Sequence, residues 1–370
     1  MATTTKKHLR FAIVGIGFGQ AVLVPALRRV PECEPTLLCA SDRIRARAVA
    51  DRLGVAEASG DWRAVAAAPD IDAVCVAVPP ALQPDIAVAC LEAGKAVFCE
   101  KPLAPDAAGA ARIADAARAS SVPCMTDFVF PEIPVWRTAR SILREGRIGA
   151  LRHLHVAWQV ETYANRLGLA SWKTDPAQGG GALCAFVSHT LHALEWFAGP
   201  IARIEARLHK SPRDERPGET LVLLQALLRE GGAASVVVGT DAPGGSGHRV
   251  ELYGDQGSLR LGNPGGDYIN GFSLAAARRT GDAPAQEWDE AGLNHGMDGW
   301  RSGPDGPLDG RQTAAASLLH TFANWIRSGE PAAPSAEHGL RVQHLIEAAR
   351  RSHDIGAWVE VPPPRVPSAF

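Results

Sequence analysis

The first third of the chain carries short apolar runs that do not alternate with polar residues. Residues 9–16 (LRFAIVGI) are the first, β-branched and ending at glycine; they predict a buried strand. Residues 20–29 predict a helix, with Pro25 tolerable only near its first turn. Further strands are predicted over 36–40, 71–78, 96–99 and 123–127. Helices are predicted over 44–53, 85–93 and 105–117. Gly54, Gly94 and the pair Pro79-Pro80 punctuate these segments. Strands that alternate with helices and are apolar throughout predict a parallel sheet covered on both faces, a doubly wound α/β domain.

The period changes after residue 128. Residues 151–160, 202–208, 220–228, 234–240, 249–253 and 257–261 alternate apolar with polar. They predict successive strands of an open, predominantly antiparallel sheet, with one helical segment over 181–198. Residues 262–310, rich in Gly, Asp and Pro, predict a long loop region. Helices are predicted over 313–328 and 337–352. The expected architecture is a Rossmann-type α/β domain over 1–128, then an α+β domain over 129–370. The second would serve substrate binding and oligomerisation, its C-terminal helices packing back toward the first.

Composition narrows the class. A chain of 370 residues suits two domains. The net charge of -2 gives no global field for nucleic acid or an anionic membrane. No run of about 18 apolar residues is present, so no membrane span is expected. Residues 1–8 are short and polar, with no apolar stretch for a signal peptide, and the cytoplasm is the expected location. The seven cysteines form no C-x-x-C pair. They read as buried thiols in a reducing compartment.

Candidate chemistry begins at Gly15-Ile16-Gly17-Phe18-Gly19-Gln20, which follows a strand and opens a helix. Gly15 permits a tight turn, and Gly17 lets the backbone approach a pyrophosphate. The helix N-terminus offers unpaired N–H groups to the phosphates. The strict G-x-G-x-x-G pattern is broken at Gln20. Asp42 ends the second strand, where a carboxylate accepts ribose hydroxyls and repels a 2′-phosphate. That favours NAD over NADP, although Arg43 could pair with the 2′-phosphate. Asp127 ends the fifth predicted strand and is expected at the same crevice. Trp158, Glu161, Tyr163, Trp172 and Lys173 place aromatic rings beside charges, which suits a polyhydroxylated ligand or, for the tryptophans, a core. His153 and His155 share one strand face but have no evident third partner, so no metal site is expected.

Glu100-Lys101-Pro102 after the fourth strand, the earlier Val78-Pro79-Pro80, and the ending Ser335 to Val361 resemble the Gfo/Idh/MocA family, the glucose–fructose oxidoreductase and inositol dehydrogenase group. The resemblance spans nearly the whole chain. It implies NAD or NADP, a sugar-, cyclitol- or related polyol substrate, and a homo-oligomer, dimer or tetramer, formed through the open sheet. It implies that Lys101 reaches the substrate and that Lys101–Pro102 is a cis peptide. Lysine at the carboxyl end of a parallel strand lies where such folds bind ligands, and it could stabilise a developing alkoxide.

The family commonly has a triple glycine, an acid, and a histidine four residues later. Gly179-Gly180-Gly181 leads to His189, which the resemblance makes the proton-exchanging group. Ser188 and His192 are expected to assist. The sequence departs from the pattern at Ala185 and His192, where acids are common. The leading expectation is hydride transfer between the nicotinamide and a secondary alcohol or ketone. The alternatives are a non-catalytic NAD(P)-binding sensor, and redox-assisted elimination or hydrolysis with NAD recycled.

Overall fold

The computed structural model describes residues 8–365, apart from 266, 280, 282–285, 288–289 and 304–305. The chain forms two compact units, Met1–Val129 with Arg311–Gln343, and Phe130–Gly310 with His344–Phe370.

The first unit is built on strands β1 (Leu9–Val14), β2 (Cys33–Cys39), β3 (Glu57–Ser59), β4 (Ala73–Val76), β5 (Ala96–Cys99) and β6 (Cys124–Thr126). All pair in parallel, in the order β3-β2-β1-β4-β5-β6. Strands β4 and β5 are buried at every position, as helices on both faces require. Strand β3 and the helix Trp62–Ala67 are absent from the predicted elements. Glu-Ala-Ser is too short and polar to read as a strand. The segment from Arg311 supplies Phe322, whose ring meets Phe11 and Phe98 at 6.3 and 5.8 Å.

The first helical run starts at Ile16, four residues earlier than predicted, and ends at Leu27. Pro25 lies well inside it, against the expectation of a first-turn position. Gly19–Leu23 forms a π turn just before it. Proline has no N–H for the carbonyl of Ala21. The side chain of Gln312 donates to that carbonyl instead, at 2.9 Å.

The second unit is built on β7 (Leu151–Gln159), β8 (Ile201–His209), β9 (Leu221–Leu228), β10 (Ala233–Gly239), β11 (Gly247–Gly254), β12 (Gly257–Asn263), β13 (Ser273–Arg278) and β14 (Gln286–Glu287). With Val359–Glu360 they make a nine-stranded sheet, ordered β14-β13-β12-β11-β7-β10-β9-β8 and then Val359–Glu360. Pairing is antiparallel except between β7 and β10. The predicted loop over 262–310 is corrected where it is described. It contains β13, β14 and the helices Glu290–Leu293 and Met297–Arg301. In β13 the alternation is carried by Leu274 and Ala276 inward and Ala275 and Ala277 outward, and small side chains hide it. The remaining positions of that loop lie outside the described residues. The helix Pro134–Arg144, with proline in its first turn, was also unpredicted.

Candidate functional site

In the first unit, strand order reverses between β1 and β4, so their carboxyl ends open a crevice. Gly15 follows β1 with φ 107°, and a Cβ there would stand 2.1 Å from the carbonyl oxygen of Ala77. Only glycine fits this crossing of two backbones. Gly19 is helical, and a Cβ there would crowd the side chain of Ile13 at 2.7 Å. Gly17 is exposed, and a Cβ there would meet nothing within 4 Å. The helix that starts at Ile16 has no side-chain cap. Gly17 therefore faces open space beside uncapped N–H groups, a cradle that suits a pyrophosphate. Phe18 and Gln20 are half-buried, and Gln20 accepts a hydrogen bond from Arg52. Val78 approaches Gly15, and Pro79 leads into a short turn at Pro80–Leu82.

Asp42 caps the helix Arg43–Leu53. Its Oδ1 accepts from the N–H groups of Ile44 and Arg45 at 2.9 and 3.1 Å. Capping uses only one of the two carboxylate oxygens. Arg43 is exposed. Ile44, unremarked in the sequence, is 84% exposed, an unusual state for isoleucine and one that suits an aromatic base laid against it.

Glu100 follows β5, and its Oε2 accepts from the backbone N–H of Lys101 at 3.1 Å. The Lys101–Pro102 peptide is cis, as the resemblance implies. Fully buried Gln83 donates to the carbonyl of Pro102 at 2.7 Å. Lys101 is half-buried at the carboxyl edge of the sheet. Asp127 follows β6 and is buried, its N–H donating to the carbonyl of Cys99 at 2.8 Å. Gly15, Lys101 and Asp127 thus end adjacent or near-adjacent strands of one sheet.

In the second unit, the triple glycine solves a crowding problem. A Cβ at Gly180 would stand 2.2 Å from the carbonyl of Trp172, and one at Gly181 would stand 2.3 Å from Oε1 of Glu219. The helical run that follows opens with a π turn at Leu183–Val187 and continues as Ser188–Ala198. Ala185 and Phe186 are half-exposed, whereas His189 and His192 are buried. The His189 ring lies against Phe130, centroids 4.8 Å apart. Phe130 also meets Trp136, Trp158 and His248. Trp158 reaches Phe186 at 4.8 Å.

The other candidate side chains have the following surroundings. Ser188 is fully buried, and its hydroxyl donates to the carbonyl of Cys184 at 2.6 Å. Trp158 is core, stacked at 4.2 Å on His248. Trp172 is half-buried with the exposed Lys173 near its ring, at 5.8 Å. Glu161 and Tyr163 are exposed. His153 and His155 both reach the hydroxyl of Ser235, at 3.1 and 2.9 Å. Among the described residues, no three His, Cys, Asp or Glu groups gather where an ion could be held. No helix among the described residues is long and apolar enough to cross a membrane.

Sequence reasoning missed Glu219 and His248. Their partners lie far along the chain, and no local pattern announces them. Burial drives the His248 imidazole down to about 3, so it stays neutral. Burial likewise pushes the Cys90 thiol up to about 12, which leaves it inert.

Residues 9–128 match a family described as oxidoreductases with an NAD-binding Rossmann fold, and residues 136–260 match the C-terminal domain of the same family. An uncharacterised oxidoreductase of Synechocystis sp. is 30% identical, covering 97% of this chain and 98% of that protein. Inositol 2-dehydrogenase of Pseudomonas fluorescens is 25% identical, covering 98% and 99%. The solved structure of a levoglucosan dehydrogenase, in its apo form, superposes with a TM-score of 0.86 at 23% identity, covering 97% and 100%. The chain belongs to the Gfo/Idh/MocA family of NAD-binding oxidoreductases.

Proposed function

We propose that this oxidoreductase oxidises a secondary alcohol, or a cyclic hemiacetal, of a sugar, cyclitol or related polyol, and runs the reverse reduction. The bound nicotinamide supplies the hydride acceptor or donor. Gly15, Gly17, Phe18, Gly19 and Gln20 form the turn that holds the pyrophosphate. Asp42 takes the adenosine ribose, and Ile44 lies under the base. Val78, Pro79, Pro80 and Glu100 line the crevice toward the nicotinamide.

Lys101 presents its ammonium to the reacting oxygen and stabilises negative charge there. His189 takes or returns the hydroxyl proton. Asp127, Trp172, Lys173 and His192 are substrate contacts in this reading. The Asp42 carboxylate, which would repel a 2′-phosphate, supports NAD as the preferred cofactor. The half-exposed alternate positions of β9 and β10 support a homo-oligomer formed through the open sheet.

The observation that carries the reading is the half-buried Lys101 two residues after β5, in the same row of strand ends as Gly15. The two dehydrogenases above, named for inositol and levoglucosan, support a cyclic substrate. Lys101→Ala tests it. Turnover should fall about 1000-fold while NADH still binds, the size of a lost charge-stabilising group. Unchanged turnover would remove Lys101 from the mechanism.

A further inference from the structure

The helical run that carries His189 is held at its start by a residue from another part of the sequence. Oε1 of Glu219 accepts from the N–H of Leu183 at 2.8 Å. The backbone carbonyl of Glu219 accepts from the N–H of Ala182 at 2.9 Å. Two of the N–H groups that a helix start leaves without partners are thereby satisfied by one residue. Gly181, at φ +85°, has no side chain to obstruct the carboxylate. A negative group also suits this end of the helix dipole. Burial pushes the Glu219 carboxyl up, while its backbone hydrogen bonds and the charges of Arg350 and His353 oppose that rise. Arg350 additionally donates to the sulfur of Cys184 at 3.0 Å.

Leu183 is the first residue of the π turn. A π turn holds one residue more than an α turn, so its relaxation to α geometry would rotate every later residue by about 100° about the helix axis. His189 follows within the next turn and a half. Its contact with Phe130 depends on the register set at Leu183.

We propose that Glu219 is the positioning residue for His189, fixing the π turn and hence the direction in which the imidazole points. The proposal rests on the reading of His189 as the proton-exchanging group, and one arm of its test stands without turnover. The arrangement also gives the half-exposed Ala185 a different context. The acid that acts on this helix comes from residue 219 and acts at its start, through Leu183.

The test uses the full chain with Glu219→Ala, Glu219→Gln and Glu219→Asp. Gln retains an acceptor at the right reach. Asp retains the charge but is one methylene too short for Leu183. The first readout is the imidazole resonances of His189, assigned by their loss in His189→Gln. Ala and Asp should shift them and change their titration, Gln should largely restore them, and His153 and His155 should not move. The second readout is turnover. Ala and Asp should lower kcat/KM by about 100-fold, mostly through kcat, with Gln recovering at least about tenfold. Affinity for NADH should stay at the parental value. If the Ala variant does not fold, the Asp variant decides. Parental His189 resonances in Glu219→Asp, or parental kcat in it, would overturn the proposal. So would a Gln variant as impaired as Asp. Failure of every sugar to be oxidised would remove the redox reading and leave the resonance test standing.

Discussion

The imidazole of His189 rests on the ring of Phe130, with centroids 4.8 Å apart and planes at 40°. Phe130 is buried and also touches Trp136, Trp158, His248 and Phe272. It therefore ties the candidate proton-exchanging residue to the aromatic core of its unit. Phe130→Ala should cost about 3–5 kcal/mol, the range for an aromatic removed from a packed core. Phe130→Leu should cost less, because more of the volume is retained. Thermal unfolding of both variants checks this. Equal melting temperatures for Ala and the parent would mean that Phe130 packs against little.

The two glycines of the dinucleotide turn should respond differently. Gly15→Ala forces a Cβ to 2.1 Å from a backbone oxygen at a positive φ, so the fold should be damaged and NADH binding lost. Gly17→Ala adds a Cβ to open space. Its melting temperature should stay near the parent, while NADH affinity should fall about tenfold or more because the methyl occupies the pyrophosphate approach. Fluorescence titration with NADH, paired with a melt, separates the cases. Parental affinity in Gly17→Ala would place the pyrophosphate elsewhere.

Asp42 carries two roles that substitution can divide. Asp42→Ala removes the helix cap and should cost about 1 kcal/mol. Asp42→Ser keeps a capping oxygen but loses the charge that repels a 2′-phosphate. Its melting temperature should be retained while the ratio of NADP to NAD efficiency rises, Arg43 being exposed nearby. Kinetics with both cofactors decide. An unchanged ratio in the Ser variant would confine Asp42 to capping.

His248 should make the protein sensitive to acid. Neither of its ring nitrogens has a hydrogen-bond partner among the described residues, and burial lowers it from 6.5 to about 3. The unfolded chain therefore takes up the proton first. The stability linked to the neutral ring is complete above about pH 6.5 and is lost as pH falls toward 3, at about 1.4 kcal/mol per pH unit. His248→Phe keeps an aromatic ring against Trp158 and removes the titration. Its melting temperature should fall less than the parent's between pH 7 and pH 4. Parallel curves would show that His248 is not neutral in the fold.

Legibility in the sequence followed distance along the chain. Gly15, Asp42 and Lys101 each follow a strand whose apolar run is local, so their shared edge could be read from the order of strands and helices, while the role of Lys101 came from the family resemblance. The strand Glu57–Ser59 was not readable, because three half-polar residues carry no period. The alanines of β13 hid a real alternation behind small side chains. The π turn at Leu183–Val187 was not readable either, because apolar and small residues carry no sign of the extra residue in the turn. Glu219 was invisible for another reason. Its partner lies 36 residues away, and only the folded sheet brings its carboxylate to Leu183.

The central claim is hydride transfer from a cyclic polyol, and direct turnover tests it best. The purified protein would be mixed with NAD or NADP and a panel of cyclitols, aldopyranoses and anhydro sugars while the near-ultraviolet absorbance of the reduced cofactor is followed. We expect at least one ring alcohol to give steady NADH formation that Lys101→Ala abolishes. Tight NADH binding with no reduced cofactor formed from any member of the panel would contradict the account and make the chain a dinucleotide-binding sensor.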